Sequence, residues 1–332
     1  MSRIMKLLAA VLALAMLASA CGGDDDGTAA SGDLPTVVVT TNILGDVVTQ
    51  LAGGTVEVVT IMPVGADPHD FQASAQQAAA MRTADVLIVN GGSFEEGLLD
   101  VIEGAESDGV NVYEAMSAVS TIEFGENDHD DDDDHDDDGD HDDHDDHSGH
   151  DHSGEDPHFF TDPARMAAAV DGIAAFLIAN VEGIDADIVT EAAEAYHEDL
   201  EALDAEVAAL VAGIPAENRV LITNHEVFGY FADRYGFEVA GAIIPGGSTI
   251  DGTSAGDLAE LAELITDEGV SAIFTDVSAS DQLAQTLADE VGGDIQVVEL
   301  FTESLGDSDS DGATYIDMVR ANATRIAEAL AS

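Results

Sequence analysis

Eleven histidines are the residues best equipped for chemistry in this 332-residue chain, and most of them share one segment. Between Glu126 and Asp156 stand His129, His135, His141, His144, His147, His150 and His152, interleaved with eighteen acids and no lysine or arginine. A stretch this polar cannot bury a core, so residues 126–155 are expected to form a solvated, disordered loop, extended by repulsion between its carboxylates. Carboxylate oxygens and imidazole nitrogens mixed in this way hold divalent cations loosely and in many arrangements. A purely solubilising linker would need acids alone, and the repeated histidines favour weak metal binding over that role.

Four histidines lie outside this run: His69, His158, His197 and His225. His197 falls on the acidic face of a long predicted helix, where a solvated surface role is expected. The other three sit in irregular segments beside helix starts, two of them after predicted strands. Glu303 follows the strand that ends at Leu300. In open parallel sheets ligands bind where loops converge at the carboxyl ends of strands. Three imidazoles and one carboxylate, two from each half of the chain, would make a closed tetrahedral site suited to Zn²⁺.

The elements that must position these residues alternate between strand and helix. Thr36–Thr40, Thr55–Ile61, Asp85–Asn90 and Val110–Tyr113 read as strands. Between them lie a helix capped by Asn42, a helix from Ser74 to about Arg82 and a helix from Phe94. Asp162-Pro163 starts a helix running to about Asn180, with Asp as N-cap and Pro at the first helical position. Asp185–Ala212 has no internal Gly or Pro and reads as one long helix with an apolar stripe at Ile188, Ala192, Ala195, Leu203, Val207 and Leu210. The alternation then resumes with strands at Arg219–Thr223, Phe237–Ile244, Ser271–Thr275 and Ile295–Leu300 and a closing helix to Leu330. This pattern predicts an α/β protein: two lobes of mostly parallel sheet flanked by helices, joined by one long rigid helix, with the metal site between the lobes. The expected lobes span residues 35–184 and 213–332, and the linking helix spans 185–212.

Residues 1–20 are expected to be a signal peptide rather than fold. Arg3 and Lys6 precede the apolar run Leu7–Leu17, and small residues lead into Cys21. Cys21 is the only cysteine, which leaves no internal disulfide and makes lipid attachment its best explanation. Residues 21–34 then read as a flexible tether, and the protein as exported and anchored at the outer face of the cell membrane. A formal net charge of −61, with only eight Lys and Arg, argues against nucleic acid or anionic lipid as partners and for cations.

Val64-Gly65-Ala66-Asp67-Pro68-His69-Asp70-Phe71 resembles the first metal-ligand motif of the zinc and manganese solute-binding proteins of ABC importers. Asp156-Pro157-His158-Phe159-Phe160-Thr161-Asp162-Pro163 resembles the second, with Phe159 where Trp is usual. Thr223-Asn224-His225-Glu226-Val227-Phe228-Gly229-Tyr230-Phe231 resembles the third. Phe301-Thr302-Glu303-Ser304-Leu305, followed by Tyr315–Val319 and Asn322, is similar to the fourth. The resemblance runs in order from Thr36 to the end. It implies an inter-lobe metal held by His69, His158, His225 and Glu303 and delivered to the membrane permease of a zinc importer by a monomeric carrier. The fourth ligand of the family is usually Asp, so Asp307, Asp309 and Asp311 are alternatives to Glu303. Manganese members typically place a carboxylate where this chain has His225, and three imidazoles favour zinc over the harder Mn²⁺. Two rival readings carry less. A zinc hydrolase could use Asp70 or Glu226 as a base, but His225-Glu226 is not followed by a second ligand His and no nucleophile is visible. A surface metal store would leave the ordered motifs unexplained.

Overall fold

A computed structural model describes residues 34–124, 154–250, 252–292 and 295–331. The expected signal peptide, Cys21 and nearly all of its tether, and the seven loop histidines lie outside the described residues.

The first lobe is built from β1 (Thr36–Val39), α1 (Asn42–Ala52), β2 (Glu57–Thr60), α2 (Ala75–Arg82), β3 (Val86–Val89), α3 (Leu99–Ser107) and β4 (Asn111–Glu114). Its four strands are parallel in the order β2-β1-β3-β4. Side chains of a strand alternate between faces, and here both faces are covered: Val37, Val39, Val86 and Ile88 join one apolar cluster and Val38, Leu87 and Val89 another. That double burial explains why β1 and β3 read as unbroken β-branched and aliphatic runs.

Two helices follow the undescribed segment, α4 (Pro163–Asn180) and α5 (Ala186–Val211). Asp162 caps α4 by accepting from the amide of Ala164 at 2.8 Å, with Pro163 at the first helical position as expected. The second lobe contains β5 (Val220–Thr223), α6 (Gly229–Tyr235), β6 (Glu238–Ala242), α7 (Ala255–Glu268), β7 (Ala272–Asp276), α8 (Gln282–Val291), β8 (Gln296–Leu300) and α9 (Tyr315–Leu330). Strands β5 and β6 pair in parallel, as do β7 and β8, and β5 lies alongside β7.

Helix α5 runs 26 residues, about 39 Å at the usual rise of 1.5 Å per residue. It packs against α4 and α1 on one side and α9 on the other. Its buried stripe is Val189, Ala193, Tyr196, Leu200, Leu203, Val207 and Val211, whereas Ile188 is 48% exposed. The expected stripe is thus correct at Leu203 and Val207, whereas in place of Ile188, Ala192, Ala195 and Leu210 the next residue in the chain is the buried one. Burying the large Tyr196 and Leu200 removes more apolar area from water than burying Ala192 and Ala195 would. One apolar cluster runs along α5 through both lobes, from Val37 to Phe274 and Leu300, so the lobes share a spine. Their outer faces carry separate clusters.

Two local expectations are corrected. Thr41 rather than Asn42 caps α1, its hydroxyl accepting from the Leu44 amide at 3.2 Å. The helix expected from Phe94 begins with a 3₁₀ turn at Glu96–Leu98 and becomes α-helical only from Leu99.

Candidate metal centre

Both first-lobe histidines lie in the same three-residue device. In Asp67-Pro68-His69, Asp67 Oδ1 accepts from the His69 amide at 3.0 Å. In Asp156-Pro157-His158, Asp156 Oδ1 accepts from the His158 amide at 2.9 Å. An Asp that catches the backbone two residues on closes a tight turn, and the intervening proline stiffens it. Each turn presents its imidazole toward the carboxyl ends of the strands.

The second-lobe residues are held through their backbones. Thr223, at the end of β5, donates its hydroxyl to the His225 carbonyl at 2.7 Å. Asn322 on α9 grips both backbone groups of Phe301, accepting from its amide at 2.9 Å and donating to its carbonyl at 2.7 Å, and so places Glu303 two residues later.

These four side chains converge. One oxygen of Glu303, Oε1, stands 2.8 Å from His69 Nε2 and 3.1 Å from His225 Nε2. His158 Nε2 is 3.3 Å from the same oxygen but lacks hydrogen-bond alignment, so that contact is mainly electrostatic. Ligand atoms from all four residues lie within 4.8 Å of one another, and each residue is at most 6% exposed. Phe94 forms an apolar wall, with its ring centre 5.2 Å from that of His69 and 5.5 Å from that of His158.

Nδ1 of His69 lies 3.0 Å from Glu96 Oε1, and Nδ1 of His158 lies 2.7 Å from Asp156 Oδ1. These carboxylates leave Nε2 of each ring to face the common centre. Burial works against a charged His158, but Asp156 and Glu303 outweigh it and raise its pKa to about 9. His69 is raised as well: burial opposes protonation, and Glu303 overcomes it. Burial likewise disfavours ionised Glu303, yet His225, His158 and His69 hold its pKa well below the ordinary glutamate value. Three imidazoles thus surround one shared carboxylate, and the environment raises His69 and His158, an arrangement in which a divalent cation can take the place of protons.

The segment carrying Glu303 is clasped by the first lobe. Ser304 Oγ accepts from the Gly65 amide at 2.7 Å and from Asn42 Nδ2 at 3.0 Å, while Asn42 Oδ1 accepts from the Leu305 amide at 2.7 Å. Across the mouth, Thr249 Oγ1 donates to Asp67 Oδ2 at 2.6 Å. A Cβ on Gly247 would collide with the Phe124 ring, so glycine is required for that turn to close over the first lobe.

His197 is 35% exposed between Asp171 and Glu201, the surface setting expected for it. Asp307, Asp309 and Asp311 are exposed, and Asp311 forms a bidentate pair with Arg325 at 2.8 and 2.9 Å, so Glu303 is the carboxylate brought to the centre. Asp70 is exposed, and Glu226 accepts from the Gly246 amide at 3.3 Å. Glu96, Phe94 and the clasp role of Asn42 escaped sequence reasoning, because nothing in their local spacing separates them from ordinary loop and helix residues.

Residues 37–329 match the family model described as zinc-uptake complex component A, periplasmic. The chain is 31% identical over 332 residues to the zinc-binding protein TroA of Treponema pallidum, with 98% of each chain covered. It is 28% identical over 312 residues to the manganese-binding lipoprotein MntA of Halalkalibacterium halodurans, with 94% of each covered. The solved structure of the periplasmic zinc-binding protein TroA from Treponema pallidum is similar at a TM-score of 0.77 and 29% identity, covering 90% of this chain and 100% of that one. Among the described residues, no helix is long and apolar enough to cross a membrane.

Proposed function

Because the chain belongs to the zinc-uptake complex component A family, and is thus a substrate-binding component of a metal ABC transporter, we propose that its cargo is Zn²⁺. His69, His158, His225 and Glu303 hold the ion between the lobes, and the carrier, a monomer, delivers it to the membrane permease of a zinc importer. The observation that carries this reading is the convergence of three imidazole Nε2 atoms on one buried carboxylate oxygen. Such a donor set suits zinc, a borderline ion that also binds nitrogen ligands more tightly than manganese does. Four protein donors leave no open position for activating water, which supports a carrier rather than an enzyme. The lobes are assigned to residues 35–184 and 213–332, with residues 185–212 as the rigid link. Export, with lipid attachment at Cys21 holding the protein at the outer face of the cell membrane, completes the assignment.

The His/Asp segment acts in capacity and rate. Its acids concentrate cations and its neutral imidazoles select zinc, but a sequence this poor in apolar residues is not suited to preorganising a tight site. Deleting Asp128–His152 leaves one tight zinc per chain, removes weaker equivalents and slows loading at scarce metal. Equal stopped-flow loading rates with and without the segment would reduce it to a solubilising tether.

Manganese is the second reading, favoured by the relatives named for that metal. Because zinc outbinds manganese at most nitrogen and oxygen sites, cellular uptake is what separates the two: deleting the protein lowers cell zinc at scarce zinc and leaves cell manganese unchanged. Lowered manganese with unchanged zinc would sink the zinc assignment.

A further inference from the structure

Two of the three proposed imidazole ligands have a carboxylate on Nδ1, and the third does not. His69 has Glu96 and His158 has Asp156, whereas His225 Nδ1 is buried without a hydrogen-bond partner. Metal-bound histidines almost always give their second ring N–H to a carboxylate, a carbonyl or a water, which fixes the tautomer and strengthens the metal bond. A bare Nδ1 in a dry interior is an unmade bond.

The second lobe has a buried carboxylate in the right place. Asp276 is the last residue of β7, in register with Leu300 of β8, and β7 also lies beside β5. His225 lies two residues beyond the end of β5 and Glu303 three beyond the end of β8. Asp276 therefore stands at the carboxyl edge of the lobe, between the strands that deliver the two second-lobe ligands. It is only 4% exposed. The amide and hydroxyl of Ser278 both donate to its Oδ1, which explains one oxygen as the cap of the turn after β7 and leaves Oδ2 unassigned. Burial raises the pKa of Asp276, the Ser278 bonds lower it, and the nearby charges that act on it are Glu303 and His225.

We propose that Asp276 is the positioning carboxylate of His225, taking its Nδ1–H when Nε2 holds the metal. This rests on the reading of His225 as a ligand. All three imidazoles would then be oriented by a carboxylate from their own lobe. Turn capping leaves Asp276 Oδ2 without a donor and His225 Nδ1 without an acceptor at the same edge of the lobe, and this pairing supplies both.

The test uses the full chain and four variants: Asp276→Asn, Asp276→Glu, Ser278→Ala and His225→Ala. Asp276→Asn keeps an acceptor for Ser278 but loses the anionic partner. It should weaken zinc binding about 10–100-fold and shift the visible bands of the Co²⁺-loaded protein. Asp276→Glu restores most of the affinity. Ser278→Ala, which disturbs only the turn, leaves the Co²⁺ spectrum in place. Unchanged affinity and spectrum in Asp276→Asn overturn the inference, as does an equal loss in Ser278→Ala. Should the unaltered chain show no tight zinc site, or His225→Ala retain it, the underlying ligand assignment fails instead.

Discussion

The two lobes contribute two proposed ligands each and hold them by different means. In the first, His69 and His158 are fixed by side chains of that lobe: an Asp on each amide and a carboxylate on each Nδ1. In the second, Thr223 grips the His225 carbonyl and Asn322 the Phe301 backbone, and the Glu303 segment is also held from the opposite lobe by Asn42 and Gly65. The first lobe carries one half of the proposed site, held by contacts within that lobe. The second supplies the remaining donors in positions set by how the lobes dock. Ligand preorganisation and lobe docking are thus separable contributions to affinity, and substitutions can isolate each.

The largest effect is expected at the first-lobe half. His158→Ala should weaken zinc binding by more than the roughly 100-fold that loss of an outer partner costs, while the fold persists. Titration showing His158→Ala to be milder than His225→Ala would reverse the ranking of the two lobes. Next come the orienting carboxylates. Asp156 is 2% exposed and Glu96 is 36% exposed, so Asp156→Asn should cost about 100-fold and Glu96→Gln about tenfold. Equal losses would mean that burial does not set the strength of these partners.

Acidity sharpens the comparison from another side. His158 is raised to about 9, so in the metal-free protein its charge stabilises the fold fully below about 6.5, the unperturbed value, and that contribution is lost as pH rises through 9. Glu303 is depressed, so its contribution is present above the ordinary glutamate value and disappears as pH falls through its lowered one. Zinc held at the proposed site has to displace the proton on His158. Affinity should therefore fall by up to about tenfold per pH unit below 9 for that one proton, while metal-free stability shows the opposite trend between pH 6.5 and 9. Calorimetry in buffers of different ionisation enthalpy reads the released proton directly, and none released at pH 7.5 would show His158 to be neutral. The smallest effect is expected at the docking clasp. Asn42→Ala should lower stability by about 1–3 kcal/mol in urea unfolding, because it strands the Leu305 amide, and change zinc affinity only a few-fold. A loss of affinity as large as that of Asp156→Asn would make the clasp part of the site.

Features fixed by chain neighbours were legible without coordinates. The paired Asp-Pro-His turns, the Asp162-Pro163 helix start and the helix start at Ser74 each need only residues two or three apart. The parallel sheets followed from the alternation of strand and helix, since a crossover helix returns each strand in the same direction. Asn42 was misread because a residue suited to capping a helix is equally suited to bridging two backbones, and only the docked second lobe shows which role it takes.

The sequence by itself determined the α/β alternation, the long linking helix and the four segments that carry the proposed ligands, because strand and helix periods and tight turns are local matters. Tertiary structure alone decided which face of α5 is buried, that Glu303 rather than Asp307, Asp309 or Asp311 reaches the centre, and that Glu96 serves His69 across 27 positions of chain. Those choices depend on which groups share a water-excluded space. That is a property of packing between distant segments, which spacing along the chain does not encode.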